Sequence, residues 1–430
     1  MMERRRVGTL RRFFIEGDFM STASAPVTPV ALRDDARVMS LVGLAHAGSH
    51  FSHLLLPVMF PVFVREFGWS YAQLGLLSSI FFAVSGIGQA SSGFVVDRFG
   101  ARPVLLGSLL LFIVACVLAS MANSYPAMML VAVLAGLGNC SFHPVDFSIL
   151  NQRISSARLG YAFSVHGLTG NLGWAAAPIL FAVTTSGGHW RAGYVSAALM
   201  YTLILMLLYW QRDALDIPAS HAPSKSAAQS SGQTTALAFM KHSVIWWCFA
   251  YFFLSTMTLA VVQNFSVPIL QALHHVTLEQ ASVTLTGYML CGAAGVLLGG
   301  FVAARLPRWS DRVVAICMTV AAVFMALCAS GWLGAQWTMV VLAATGFAIG
   351  VGGPSRDLMI KKATPKGATG RVYGLVYSGL DAGFAVSPLV FGVLMDHGMP
   401  AAALLGAAMV LLLSVGAAVG VGKRTPSPQS

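Results

Sequence analysis

Apolar residues run through this chain in twelve long stretches, at about 38–64, 71–97, 103–122, 125–150, 160–185, 191–210, 243–268, 278–303, 312–331, 336–359, 370–394 and 399–421. Short polar or Gly/Pro punctuation separates them. A helix needs about 20 apolar residues to cross the hydrocarbon core of a bilayer. The pattern therefore predicts an all-α integral membrane protein with twelve transmembrane helices. Residues 211–242, rich in Ser, Ala, Gln and Pro, break the rhythm and read as a flexible linker. The expected organisation is a leader over 1–37, a six-helix half over 38–210, the linker over 211–242, a second six-helix half over 243–421 and a tail over 422–430.

Composition agrees. Of the 430 residues 57% are hydrophobic and 10% charged, against about 25% charged in a soluble domain. A soluble enzyme, a disordered chain and a basic nucleic-acid-binding domain are excluded. The net charge of +11 is explained by position: with the N-terminus inside, 24 of the 26 Lys and Arg residues fall on the same side, leaving only Arg65 and Arg191 opposite. This asymmetry predicts a bacterial-type inner (plasma) membrane protein with both termini cytoplasmic and no nucleic-acid partner. The first nineteen residues are Arg-rich and lack the apolar region of a secretory signal; Met20 opens a more ordinary leader and is an alternative start. The six cysteines lie in apolar runs without CxxC or Cys/His spacing and read as small hydrophobes.

The halves repeat each other. Gly160, Asn171, Gly173 and Pro178 recur 210 residues on as Gly370, Asp381, Gly383 and Pro388, and Pro144 recurs as Pro354. Gly93-Phe94-Val95 recurs as Gly300-Phe301-Val302, 207 residues on. Two parallel six-helix repeats with a midplane site between them are one way transporters are built. The segment Gly93-Phe-Val-Val-Asp97-Arg98-Phe-Gly100-Ala-Arg102 resembles the loop signature between the second and third helices of the major facilitator superfamily. With twelve spans, a 6+6 division and a central linker, the resemblance covers nearly the whole chain. Ser49-His50-Phe51 and Phe142-His143-Pro144 are similar to the fosmidomycin-resistance exporter group. The second half departs from the loop pattern, with Ala304 standing where the first has Asp97.

Of 15 acidic residues only Asp146 and Asp381 fall well inside spans, and an ionisable group there is a functional hypothesis by default. Burial disfavours the charged form of a carboxylate, which suits it to bind and release a proton during transport. Asp381 and its repeat partner Asn171 are expected to face the central cavity from opposite halves. His46, His50 and His53 are spaced by four and three residues and so share one helical face. Lipid rejects such a stripe, so it is expected to line a wet cavity, with His50 a candidate proton carrier or substrate contact. A metal or haem site assembled with His143 and His166 is disfavoured, because the stripe has no Cys or carboxylate companion in its own span; no metal and no cofactor are expected. Gln89, Gln263, Asn264 and Tyr377 supply further hydrogen-bonding groups. No arginine sits deep in a first-half span, which favours neutral, zwitterionic or weakly charged amphiphilic cargo over phosphate esters.

Proline removes a backbone donor, so His143-Pro144 is expected to break span four and Pro354 span ten. Gly167, Gly170, Gly173 and Pro178 form a small-residue face similar to the superfamily's antiporter signature, although Ala177 replaces the glycine of its Gly–Pro pair. The resemblance implies that Gly93, Asp97, Arg98, Gly100 and Arg102 belong to a conformational lock in which Asp97 meets the N-terminus of span eleven. The repeat makes Asp146 and Arg356 equivalent positions, and they are expected to pair across the cytoplasmic mouth when it closes; the alternative is that each charge is satisfied within its own half. The function expected is proton-coupled alternating-access transport of a small organic compound, most simply drug or metabolite efflux by antiport, by a monomer whose partners are its substrate, protons and the bilayer. An importing symporter fits the same features. A membrane-embedded His/Asp metal-dependent enzyme fits them less well, and the chain has no GxxxxGK[ST] loop for a primary pump.

Overall fold

The computed structural model describes residues 32–155, 158–216, 242–363 and 369–424. The leader before residue 32, the linker over 217–241 and the tail from 425 lie outside them. Fourteen α-helices follow in order among the described residues: α1 (Leu32–His53), α2 (Phe60–Phe67), α3 (Tyr71–Phe99), α4 (Ala101–Met121), α5 (Tyr125–Asn139), α6 (Phe142–Arg153), α7 (Leu159–Thr185), α8 (Trp190–Trp210), α9 (Ser243–His274), α10 (Leu278–Arg305), α11 (Ser310–Ala329), α12 (Ala335–Ala363), α13 (Thr369–Asp396) and α14 (Pro400–Arg424). They make the twelve expected crossings, because α1 and α2 share one and α5 and α6 another. Eleven crossings are long and apolar enough for a membrane by themselves. The remaining one, α7, is diluted by His166, Thr169, Asn171 and its glycines, and it crosses as the repeat counterpart of α13.

Two interruptions lie beside prolines. The ring of a proline clashes with the carbonyl four residues earlier. Pro57 lies four residues after His53, where α1 ends, and a short 3-10 turn (Pro57–Met59) leads into α2. Pro144 lies four after Cys140, and span four breaks between Asn139 and Phe142. The same break was expected at Pro354, but α12 runs straight through it. Pro178, Pro268 and Pro388 are likewise carried inside α7, α9 and α13, so a proline alone does not break a span in this bundle.

Two boundaries also shift. Residues 32–37, expected in the leader, open α1, and Asp35 is fully buried, accepting from Arg158 Nε at 2.6 Å and Ser155 Oγ at 2.7 Å. Residues 422–424, expected in the tail, complete α14. In both cases helix continues past the apolar stretch on charged residues that hydropathy alone cannot follow.

In the first half α1 packs on α7, and α4 on α5 and α8; in the second α10 packs on α12, α9 on α13 and α14, and α11 on α12 and α14. The outward faces of the peripheral helices are apolar: Leu110, Val114 and Val117 on α4, Leu199 and Leu203 on α8, Ile316, Val320 and Val323 on α11, Leu412 and Leu413 on α14. Such faces need lipid around them. The halves meet along α3–α13 and α7–α10. Both α3 and α10 open with a capping box, Ser70 with Gln73 and Thr277 with Gln280, at the 207-residue repeat offset. At the other end Gly100 holds φ +85° between α3 and α4, a turn that a side chain would strain.

Candidate functional site

The basic end of the bundle carries the loops near residues 100, 156 and 306 and both described termini; the far end carries those near 69, 123, 188, 276, 332 and 398. The halves are joined from the far end to mid-depth. Asp396, the last residue of α13, accepts from the backbone N–H groups of Tyr71 and Ala72, the latter at 2.8 Å. A carboxylate from the second half thus caps the N-terminus of α3 in the first, where the unpaired N–H groups and the helix dipole favour an anion. Deeper, Ser78 Oγ donates to Asn264 Oδ1 at 2.6 Å and Thr286 Oγ1 to the Ala175 carbonyl at 3.2 Å. The rings of Phe82 and Phe384 stack at 4.3 Å.

Among the described residues the ion pairs at the basic end stay within one half. Asp35 binds Arg158, Arg102 binds Asp216 at the start of the linker, and Arg356 Nε donates to Asp357 Oδ1 at 2.9 Å. This conformation is therefore closed at the far end. Removing the Asp396 cap should loosen that closure: in Asp396→Asn the population open to the far end should rise up to about tenfold, a charge-assisted bond being weakened by exposure. Thiol labelling of a cysteine placed at Ser78 measures it, and unchanged labelling would show the cap to be incidental.

The five histidines singled out in the sequence do come together. His46 Nδ1 and His166 Nε2 both contact Asp146 Oδ2, at 3.0 and 3.1 Å, and their rings stack at 3.5 Å. His143 stands edge-on to His46 at 5.5 Å. His50 lies between His46, 4.5 Å away, and His53, at 5.1 Å, and packs on Trp174 at 4.3 Å. Trp174 Nε1 donates to His53 Nδ1 at 3.2 Å. The stripe on α1 faces α6 and α7 inside the first half, so it forms part of a packed polar core and not the wall of a wet cavity that was expected; His46 is only 2% exposed. Several buried atoms there, His50 Nδ1, His53 Nε2 and Asp146 Oδ1, have no hydrogen-bond partner among the described residues. A second polar chain, Ser49 to Asn139 (2.6 Å) to Ser85 (2.9 Å), ties α1 through α5 to α3.

Asp381 sits elsewhere. It is half-buried on α13 where that helix crosses α3, so close that a Cβ on Gly86 would lie 3.1 Å from its own Cβ. Among the described residues it makes no hydrogen bond or ion pair. Asn171, expected to oppose it across one cavity, occupies the symmetry-related crossing instead: its side chain lies against Gly292 where α7 meets α10, and its amide bonds the Gly167 carbonyl at 3.0 Å. Each half thus offers one polar side chain to a glycine of the other. Gln263 is buried with both amide atoms unpartnered among the described residues, while Asn264 is spent on Ser78 and the Ala260 carbonyl. Tyr377 packs on Phe252 at 5.1 Å, nearer the basic end.

The Asp146–Arg356 pair, expected only when the cytoplasmic mouth closes, is not made in this conformation. Asp146 is fully buried between α1 and α7, and Arg356 turns to Asp357 and to the face of Phe252, 4.9 Å away. Each charge is satisfied in its own half. Of the expected lock, Arg98 lies over Phe99 at 5.4 Å and Arg102 holds Asp216, while the side chain of Asp97 lies outside the described part. Asp396 was missed as a gate because its partner is backbone; the capping box after Ser70 was the signal that a helix N-terminus stood opposite.

Comparison with known proteins agrees with this architecture. The chain is 23% identical over 385 residues to the fosmidomycin resistance protein of Escherichia coli (strain K12), covering 87% of this chain and 90% of that protein. It is 23% identical over 364 residues to the class B tetracycline resistance protein of Escherichia coli, covering 81% and 85%. Among solved structures, a bacterial homolog of the human lysosomal transporter Spinster superposes with a TM-score of 0.77 at 14% identity, over 93% of this chain and all of that one. The nucleoside transporter NupG superposes at 0.71 over 89% and 99%. Family and fold are those of transporters and not of enzymes, which removes the membrane-enzyme alternative. The Major Facilitator Superfamily model matches residues 42–271 and 253–430, both halves of the twelve-helix repeat, and the chain belongs to that superfamily.

Proposed function

We propose that the protein is a proton-coupled exporter of a small organic compound, working by alternating access with both termini in the cytoplasm. The observation that carries this reading is Asp381: an intramembrane carboxylate without a partner among the described residues, half-buried at the crossing of α3 and α13. A group so placed must change its protonation or its contacts when the two helices separate, which is what coupling requires. Of the three expected carriers the geometry favours Asp381, since Asp146 is held by two imidazoles inside the first half and His50 is walled in by Trp174. The far-end closure leaves access from the basic end, which the positive-inside bias assigns to the cytoplasm. The resistance proteins among its relatives favour export.

The test is flux in proteoliposomes of known orientation under an imposed pH gradient, with fosmidomycin and tetracycline as the first probes. Gradient-driven accumulation that collapses on adding a protonophore supports the reading. Equilibration of these probes at the same rate with and without the gradient would exclude proton coupling for them.

A further inference from the structure

The sequence argued against a metal because the α1 stripe had no carboxylate beside it; the fold supplies one from α6. Ligand-capable atoms of His46, His50 and His143 lie within 4.8 Å of one another. Tetrahedral zinc–imidazole bonds of about 2.0–2.1 Å place nitrogens roughly 3.3 Å apart, so small ring rotations close the set. His46 is already oriented for the task. Its Nδ1 is engaged by Asp146 at 3.0 Å, which turns Nε2 outward. A carboxylate behind a histidine is the usual way proteins fix the tautomer of a metal ligand. The nitrogens sit close over Gly170, where a side chain would crowd them. A Cβ on Gly170 would stand 3.2 Å from His46 Nε2 and 2.8 Å from His50 Nδ1, so any other residue there would fill the position between them and α7. His50 Nδ1 is buried and unpartnered, an uncompensated cost unless something binds it.

We propose that His46, His50 and His143 form a site for one divalent transition-metal ion of the imidazole-preferring class, zinc, nickel or cobalt, with Asp146 as the positioning residue behind His46. Three protein nitrogens leave a fourth position for water or for a donor atom of a chelating cargo. Magnesium and calcium, which prefer oxygen, are not expected to bind. The inference is independent of proton coupling, which rests on Asp381 in the other half.

The test uses full-length detergent-purified protein carrying a histidine-free tag and stripped with chelator. Titration with Co2+, Ni2+ and Zn2+ should give one ion per chain, with Co2+ developing visible absorption from a nitrogen-rich site. His50→Gln and His143→Gln should each weaken binding at least about 100-fold, Gly170→Ala should do the same by occupying the space, and Asp146→Asn should weaken it about 10–100-fold. His397→Ala, at the far end, should leave it unchanged. X-ray absorption of the zinc-loaded wild type needs no variant and should count three imidazoles. Absence of stoichiometric binding, retention of full affinity in both the His50 and His143 variants, or fewer than two imidazoles on zinc would overturn the site.

Discussion

Asp146→Ala should be the most damaging single substitution in the first half. The carboxylate is fully buried and takes contacts from His46 on α1 and His166 on α7, so it joins three helices at one point. Removing it deletes two charge-assisted contacts and leaves two buried imidazoles without their acceptor. Losses of this kind reach roughly 3–5 kcal/mol where a buried pair is broken. The six cysteines are free, and Cys116, Cys248 and Cys328 are buried in the folded chain. A thiol-reactive dye therefore reports unfolding directly, and the midpoint should fall by several degrees in Asp146→Ala. Asp146→Asn keeps one acceptor and should fall between the two. A variant as stable as wild type would mean that the two imidazoles find other partners and that Asp146 is not the anchor described here.

The second large effect belongs to the far-end closure. A Cβ on Gly75 would lie 2.3 Å from the carbonyl oxygen of Pro388, well inside van der Waals contact with the backbone of the other half. Backbone cannot rotate away as a side chain can, so α3 and α13 must part. Gly75→Val should wedge the far end open while leaving each six-helix half intact. Moving an equilibrium from almost wholly one state to almost wholly the other takes about 5.5 kcal/mol, and a steric conflict of this depth approaches it. The variant should be stable yet nearly inactive, with a cysteine at Ser78 becoming reactive to an impermeant thiol reagent. Normal transport with an unreactive Ser78 position would show that the closure tolerates a side chain there and is not a tight seal.

The spans were legible because a bilayer imposes a length and an apolarity that each segment must meet alone. Turns inside a span were only half legible. Pro144 stands beside a break, while Pro354, like Pro178, Pro268 and Pro388, lies inside a continuous helix, so proline alone does not locate a break. The histidine stripe was visible from its four-and-three spacing on α1. Its companions Asp146, His143 and His166 come from α6 and α7, and no local spacing encodes a meeting between helices. Offsets made Asp146 and Arg356 equivalent, and a pair between them is expected only in the conformation closed at the basic end, which this one is not. Asp146 points inward to α1, and Arg356 turns to Phe252. Asp396 falls just past the apolar stretch of its span, and its partners are backbone N–H groups, which hydropathy does not show.

The central claim is that cargo and a proton compete through Asp381. Binding linkage is reciprocal: if protonation weakens cargo binding, cargo must expel the proton. The direct measurement mixes purified protein with the transported compound in weakly buffered solution containing a pH dye. Wild type should release up to about one proton per compound bound, and Asp381→Asn should bind the compound while releasing none. Proton release that persists undiminished in Asp381→Asn would contradict the account and place the coupling group elsewhere.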